Sequence, residues 1–279
     1  FQKSANNCAL LDIPHPGILD APEFYNNYDL RCYAPAPSLA PFVVHIWVQR
    51  NYGGQSTPKP LEIQTGANTY LYLSAHESFI QGVSSVHSRY DPRLPGIWAG
   101  VKFTPGGLGA FWPHSLSKLA GSTVPAETIF SELTTLQFRE RLDHLDDATI
   151  VATLEQMLVA HSPQISLQLQ DISRIMDMIN SGDPTLTAPA IAHRIGKSER
   201  SLQQLFRHHV GASLKWTLMR RRLIGATERI AHTSEPLTDV ALEYGYSSQS
   251  HFTSEFKSVT GRAPSSHIGK VRRRGNNYA

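Results

Sequence analysis

IAHRIGKSERSLQQLF occupies residues 191–206, and VALEYGYSSQSHFTSEF occupies residues 240–256. The second stretch repeats the pattern of the first. Ala192, Gly196 and Ser198 recur as Ala241, Gly245 and Ser247 at an offset of 49, and Phe206 and Gly211 recur as Phe256 and Gly261 at an offset of 50. One residue is therefore inserted in the second copy. In the first, Ile191 and Ile195 stand four apart beside the small Ala192, and Leu202, Leu205 and Phe206 form a second apolar stripe at helical spacing. Thr187 is a good N-cap, with Pro189 in the first turn where a missing N–H costs little. Gly196 supplies the left-handed backbone that ends the first helix, and Ser198 caps the next. In the second copy Val240, Tyr244, Phe252 and Phe256 take the apolar parts, Gly245 the turn, and Ser247 or Ser248 the cap. Each copy thus reads as two short helices joined by a tight turn, the pattern of a helix-turn-helix.

The outer faces of the second helices carry the chemistry. The first presents Arg200, Gln203, Gln204 and Arg207, the second Gln249, Ser250, Thr253, Ser254 and Lys257. Arg pairs with guanine, Gln with adenine, and Ser or Thr with either or with phosphate. Charge agrees with a polyanionic partner. Residues 1–164 hold ten Lys and Arg against fourteen Asp and Glu, a net −4, whereas residues 165–279 hold sixteen against nine, a net +7. Phosphate neutralisation by such a basic domain supplies most non-specific affinity for DNA.

Residues 171–270 closely resemble the AraC/XylS family of bacterial transcription regulators. The resemblance is carried by LTAPAIAHRIGKSERSLQQLFRHHVGAS, by RRRLIGATERI, where Arg222 and Ala226 fit an Arg-x-x-x-Ala pattern, and by GYSSQSHFTSEFKSVTGRAP. It implies two helix-turn-helix units on one linker helix, with both recognition helices in successive major grooves about one helical turn (~34 Å) apart. Carried over by position, the readers are Arg200, Gln203 and Gln204, then Gln249, Ser250, Thr253 and Ser254. Gln204 and Ser254 stand where the family frequently has Arg, and His251 is expected to pack beside Phe252.

The first half reads differently. FVVHIWVQ, NTYLYLS, ESFIQGVSS and GIWAGVKF are short β-rich runs punctuated by Pro and Gly, which predict a small β-barrel or sandwich. PSLAPFVVHIWVQ and GIWAGVKFTPGGLGAFWP resemble the sensor half of a subgroup of AraC-type regulators, which implies a cupin-like, ligand-binding domain with an effector not identified by the residues. FTPGGLGAFW lacks phosphate-loop spacing and predicts a tight turn into a short helix. Trp47, Tyr70, Tyr72, Trp98 and Phe103 either line a pocket or, the preferred reading, fill the core. Leu133, Leu136, Leu142 and Leu145, then Ile150, Leu154, Met157 and Leu158, predict amphipathic helices that cover the barrel or pair two subunits.

The expected class is α+β with two domains: a sensing and dimerisation domain at 1–162, a linker at 163–170, and a DNA-binding domain at 171–279. Seven histidines in the first half make no HxH or HExxH, and Cys8 and Cys32 make no CxxC, so no metal, cofactor or catalytic residue is expected. An alkyl-transfer enzyme with an appended DNA-binding domain would need a reactive cysteine. No apolar run of membrane length and no signal peptide stand in the chain, and a cytoplasmic location is expected. The resulting expectation is a homodimeric regulator, an activator by family habit, with promoter DNA, RNA polymerase and a small-molecule effector as partners. The alternative is a ligand-independent regulator whose first half only dimerises. The basic tail at Lys270 and Arg272 to Arg274 is expected to add phosphate contacts.

Overall fold

The computed structural model describes residues 9–11, 28–51, 61–63, 66–84, 88–90, 96–131, 141–183, 186–233, 235–260 and 263–265. Cys8, Leu133, Leu136, Gly261 and the basic tail lie outside them.

The β-rich runs become β3, β5, β6 and β8 among nine strands of the described residues: β1 Leu10–Leu11, β2 Tyr28–Tyr33, β3 Val43–Asn51, β4 Leu61–Ile63, β5 Tyr70–Ser74, β6 Ser78–Gln81, β7 Ser88–Tyr90, β8 Gly96–Phe103 and β9 Thr123–Pro125. Seven make one antiparallel sheet in the order β1-β2-β3-β8-β5-β6-β9, and β4 pairs with β7. Strand side chains alternate between faces. One face therefore gathers Ile46, Val48, Leu71, Leu73, Ile80, Ala99, Val101 and Phe103, all fully or almost fully buried. Each such Leu, Ile or Val contributes about 1.5–3 kcal/mol by leaving water. Phe111 and Phe130 close over Phe103, with ring centres 5.8 and 6.4 Å away. FTPGGLGAFW makes the expected turn, Gly106 with φ 84° leading into the 3-10 helix Gly107–Ala110.

Helix α1, Asp147–Ala160, covers this aliphatic face with Ile150, Val151, Leu154, Met157 and Leu158. Its apolar stripe is thus satisfied by the chain's own sheet. Asp146 caps it by accepting from Thr149 N–H at 2.8 Å. Asp147 then ties it to the strands, taking bonds from the Tyr33 hydroxyl and from Arg50, with Arg31 Nη1 at 3.5 Å. Of the predicted leucines, Leu142 precedes α1 in a separate 3-10 helix, Leu142–His144.

The described residues then give α2 Leu167–Asn180, α3 Ala188–Ile195, α4 Glu199–His209, α5 Leu214–His232, α6 Leu237–Glu243 and α7 Gln249–Thr260. α2 begins four residues inside the stretch expected as linker, capped by Ser166. Two separate cores hold them. Ile172, Ile175, Ile179, Ile191, Leu202, Phe206 and Leu214 make the first, and Leu223, Ala226, Ile230, Val240, Phe252 and Phe256 the second. The 19 residues of α5, about 28 Å at 1.5 Å per residue, feed the first core at one end and the second at the other.

Candidate nucleic-acid interface

Both turns close by the same hydrogen bonds. Gly196 with φ 69° lets Lys197 N–H donate to Ala192 O at 3.0 Å, and Gly245 with φ 75° lets Tyr246 N–H donate to Ala241 O at 2.9 Å. This is the bond that ties the second residue past a helix back into its last turn, and it requires a residue at ease with positive φ. The repeated alanines, buried in both cores, receive it. The caps differ by the inserted residue. Ser198 accepts from Ser201 N–H at 3.2 Å, whereas in the second unit Ser248 accepts from His251 N–H at 3.1 Å. Ser247 is released to bond His251 Nδ1 at 3.2 Å.

The candidate readers lie on the sides of α4 and α7 away from the two cores. Leu202 and Phe206 point into the first core, Phe252 and Phe256 into the second. Arg200, Gln203, Gln204 and Arg207 are exposed on the other side of α4. Gln249, Ser250, Ser254 and Lys257 are exposed on α7, with Thr253 half-buried. The four α4 residues follow i, i+3, i+4, i+7 and share one face. His251 departs from expectation. It is 55% exposed, bonded to Ser247, 3.8 Å from Glu255 and edge-on to Tyr246 at 5.4 Å, so it braces the turn rather than packing inside with Phe252.

Three positions were missed by the sequence. The Thr238 hydroxyl of α6 donates to Gln249 Oε1 at 2.8 Å, which orients that amide and leaves its N–H groups outward. The buried Tyr246 donates to Glu255 at 2.9 Å and fixes the far side of α7. Arg220 of α5 is 1% exposed and lies 5.5 Å from the Trp216 ring. Burial pushes it down to about 10 while Glu255 pulls the other way, so it stays charged at neutral pH. In the run Arg220, Arg221, Arg222 nothing local marks which arginine turns inward. The spacing to the apolar Leu223 and Trp216 is the one available signal.

Residues 191–268 match a family model described as a helix-turn-helix domain, and residues 31–125 match one described as a domain of unknown function (DUF6597). An uncharacterised HTH-type transcriptional regulator of Staphylococcus aureus is 28% identical over 110 residues, 39% of this chain and 15% of that protein. The HTH-type transcriptional activator AarP of Providencia stuartii is 35% identical over 80 residues, 29% of this chain and 59% of that protein. The probable transcription factor PqrA of Proteus vulgaris is 37% identical over 67 residues, 24% of this chain and 55% of that protein.

The C-terminal half is similar to helix-turn-helix transcription regulators.

The chain spans well under two thirds of these relatives, at 15%, 59% and 55% of their lengths. Among solved structures, apo ToxT from Vibrio cholerae is 11% identical, with 81% of this chain and 97% of that one covered and a TM-score of 0.41. A transcriptional regulator from Chromobacterium violaceum with an AraC-type DNA-binding domain is 22% identical, with 38% of this chain and 96% of that one covered and a TM-score of 0.36.

Within the helix-turn-helix domain, the Arg-x-x-x-Ala pair of α5 divides its work. Arg222 Nη2 donates to Leu186 O of the first unit at 3.1 Å, and Ala226 is fully buried in the second. The domain also meets the N-terminal half. The 3-10 helix Leu116–Lys118 packs on α4, and Ser115 Oγ donates to His208 O at 3.3 Å. A groove of about 700 Å³ opens along this seam, walled by Ser115, Ser117, Asp171, Gln204, Arg207 and His208. Two of the four α4 candidates therefore face the N-terminal half, and Arg200 and Gln203 do not line the groove. Among the described residues no group of three or more His, Cys, Asp or Glu could hold a metal ion, and no helix is long and apolar enough to cross a membrane.

Proposed function

We propose that the chain is a sequence-specific, DNA-binding transcription regulator that reads two successive major grooves with α4 and α7. The observation that carries this reading is the duplicated turn: two units closed by the same bonds, each with an exposed polar face opposite a buried apolar one, on one connecting helix. Arg200, Gln203, Gln204 and Arg207 contact one groove, and Gln249, Ser250, Thr253, Ser254 and Lys257 the next. The N-terminal half senses a small molecule and passes its state to the reader. The packing of Leu116–Lys118 on α4 supports that route, because a shift there moves Gln204 and Arg207 directly. Activation through RNA polymerase is the favoured sign, supported by the activator AarP among the relatives. The protein works in the cytoplasm as a homodimer on promoter DNA, and its N-terminal half supplies the second subunit's contacts.

Selection of random duplex DNA tests this with the full chain and with residues 165–279 alone. Two short boxes about one helical turn (~34 Å) apart are expected. A motif enriched only by the isolated domain marks restraint by the N-terminal half. Failure of both to enrich any motif overturns sequence-specific regulation.

A further inference from the structure

The N-terminal half is the acidic half of the chain, but the part of it that meets α4 carries no carboxylate. We infer that this part is a third DNA contact, which takes the phosphate strand flanking α4. The proposal rests on the two-groove reading above and extends it into the other domain.

Two faces of α4 share an edge. Arg200, Gln203, Gln204 and Arg207 make the outward face, and Ser201, Gln204, Leu205 and His208, one residue further round at the same helical spacing, line the groove at the seam. One residue is about 100° of rotation. An α-helix with its side chains is about 10–12 Å across and a major groove about 12 Å wide, so a helix that fills the groove holds a phosphate strand against each flank. The seam face of α4 is such a flank.

Across the groove stand Ser115 and Ser117 of the N-terminal half. Close backbone packing fixes them there. Gly211, with φ 86°, brings the turn after α4 so near the 3-10 helix that a Cβ on it would stand 2.9 Å from Leu116 O. Gly106 answers from the N-terminal side, where a Cβ would stand 3.1 Å from Ile172 Cδ1 and 3.3 Å from His209 O. Ser115 Oγ donates to His208 O at 3.3 Å and lies 2.8 Å from Ser117 Oγ. The FTPGGLGAFW turn and the 3-10 helix after it thus pin the seam, while the groove of about 700 Å³ beside them stays open.

The walls of the groove suit a phosphodiester. Arg207 supplies a cation, and His208, Ser117, Ser201 and Gln204 supply N–H or O–H donors. Asp171, the one carboxylate on these walls among the described residues, is neutralised by Lys197 Nζ at 3.0 Å. The N-terminal side is prepared in the same sense. Residues 1–164 hold fourteen Asp and Glu, but none stands between Asp91 and Glu127, the stretch that contains the FTPGGLGAFW turn and the 3-10 helix. Beside that helix it exposes His114 and Lys118. A wall of hydroxyls and cations accepts a phosphate strand that the rest of an acidic half would repel. A contact that only locked α4 would gain from carboxylates facing Arg207 and His208, and this stretch has none.

Binding of the full chain to a duplex carrying its selected boxes tests the site through one side chain, Ser117, given each sign of charge. Ser117→Lys is expected to bind tighter and to lose about threefold more affinity than the parent chain between about 50 and about 200 mM salt, the increment of one added phosphate contact. Ser117→Asp is expected to bind about threefold weaker. Hydroxyl-radical footprinting of the same complexes should show that the acidic variant loses protection on the strand flanking the first box and keeps it at the second. Lys118→Glu repeats the acidic arm if Ser117→Asp fails to fold. Affinities that change with neither sign, or that fall with both, overturn the proposal. A rise with both marks the seam as a lock on α4 and overturns it as well. Selection on the parent chain separates the two readings. Boxes without a charge response sink this proposal alone, whereas an absence of boxes sinks the two-groove reading and this one with it.

Discussion

In the first helix-turn-helix unit, α4 packs on α2 and α5 and also on Ser115 and Leu116 of the N-terminal half; in the second, the principal partners of α7 are α6 and the second core. The turns themselves are nearly interchangeable, with Gly196 and Gly245 at φ 69° and 75°. Equal local codes therefore sit in unequal surroundings. The first unit touches the N-terminal half directly, and α5 connects it to the second. The readers differ in the same sense. Gln249 is oriented by Thr238 within its own unit, whereas Gln204 and Arg207 share a groove with residues from another domain.

The largest test of this contrast is on the cores. Phe206→Ala and Phe252→Ala are each expected to cost about 3–5 kcal/mol. Because the cores are separate, hydrogen exchange should show Phe252→Ala opening residues 237–260 while residues 167–209 stay protected. Loss of protection in both units together would merge them into one cooperative body. Next come the readers. Arg200→Ala or Gln249→Ala is expected to relax base preference at a single position by about 1–3 kcal/mol. Competition with single-base variants of the selected site measures this, and a uniform loss across all sequences would assign the residue to the backbone. Thr238→Val should weaken discrimination by about 0.5–1.5 kcal/mol, at the same base pair as Gln249→Ala. A change at a different base pair would break the link between Thr238 and Gln249.

The smallest effect concerns the seam. Burial, helped by the adjacent His208, holds His209 below the ordinary histidine value near 6.5. The folded chain then binds less proton there than the unfolded one. The stability gained by keeping His209 neutral is complete above about pH 6.5 and is lost as the pH falls through the depressed value. Melting temperatures measured from pH 8 to pH 5 should fall on the acid side, and His209→Gln should flatten that limb. An unchanged slope in the variant would place the acid sensitivity elsewhere.

Residue by residue, the duplicated turn was legible because its causes are local. Gly196, Gly245, Ser198 and the alanines act within one or two turns of helix, and each carries its conformational preference wherever it stands. The choice between Ser247 and Ser248 was not legible, since the inserted residue lets either serine reach a free N–H until the helix axis is set. His251 was misplaced for a related reason. Its neighbour Phe252 is apolar, but a helix turns about 100° per residue and carries the two to different sides.

The sequence by itself determined the two helix-turn-helix units, the polar faces of α4 and α7, and the β character of the first half, because helical and strand periodicities are written in neighbouring residues. Only the tertiary structure decided which arginine of Arg220, Arg221 and Arg222 is buried, that Gln204 and Arg207 look onto Ser115 and Ser117, and that His45, Lys102 and Tyr70 align in one row. Those arrangements join residues dozens of positions apart. They follow from strand register and from which faces find apolar cover, quantities set by the whole chain at once.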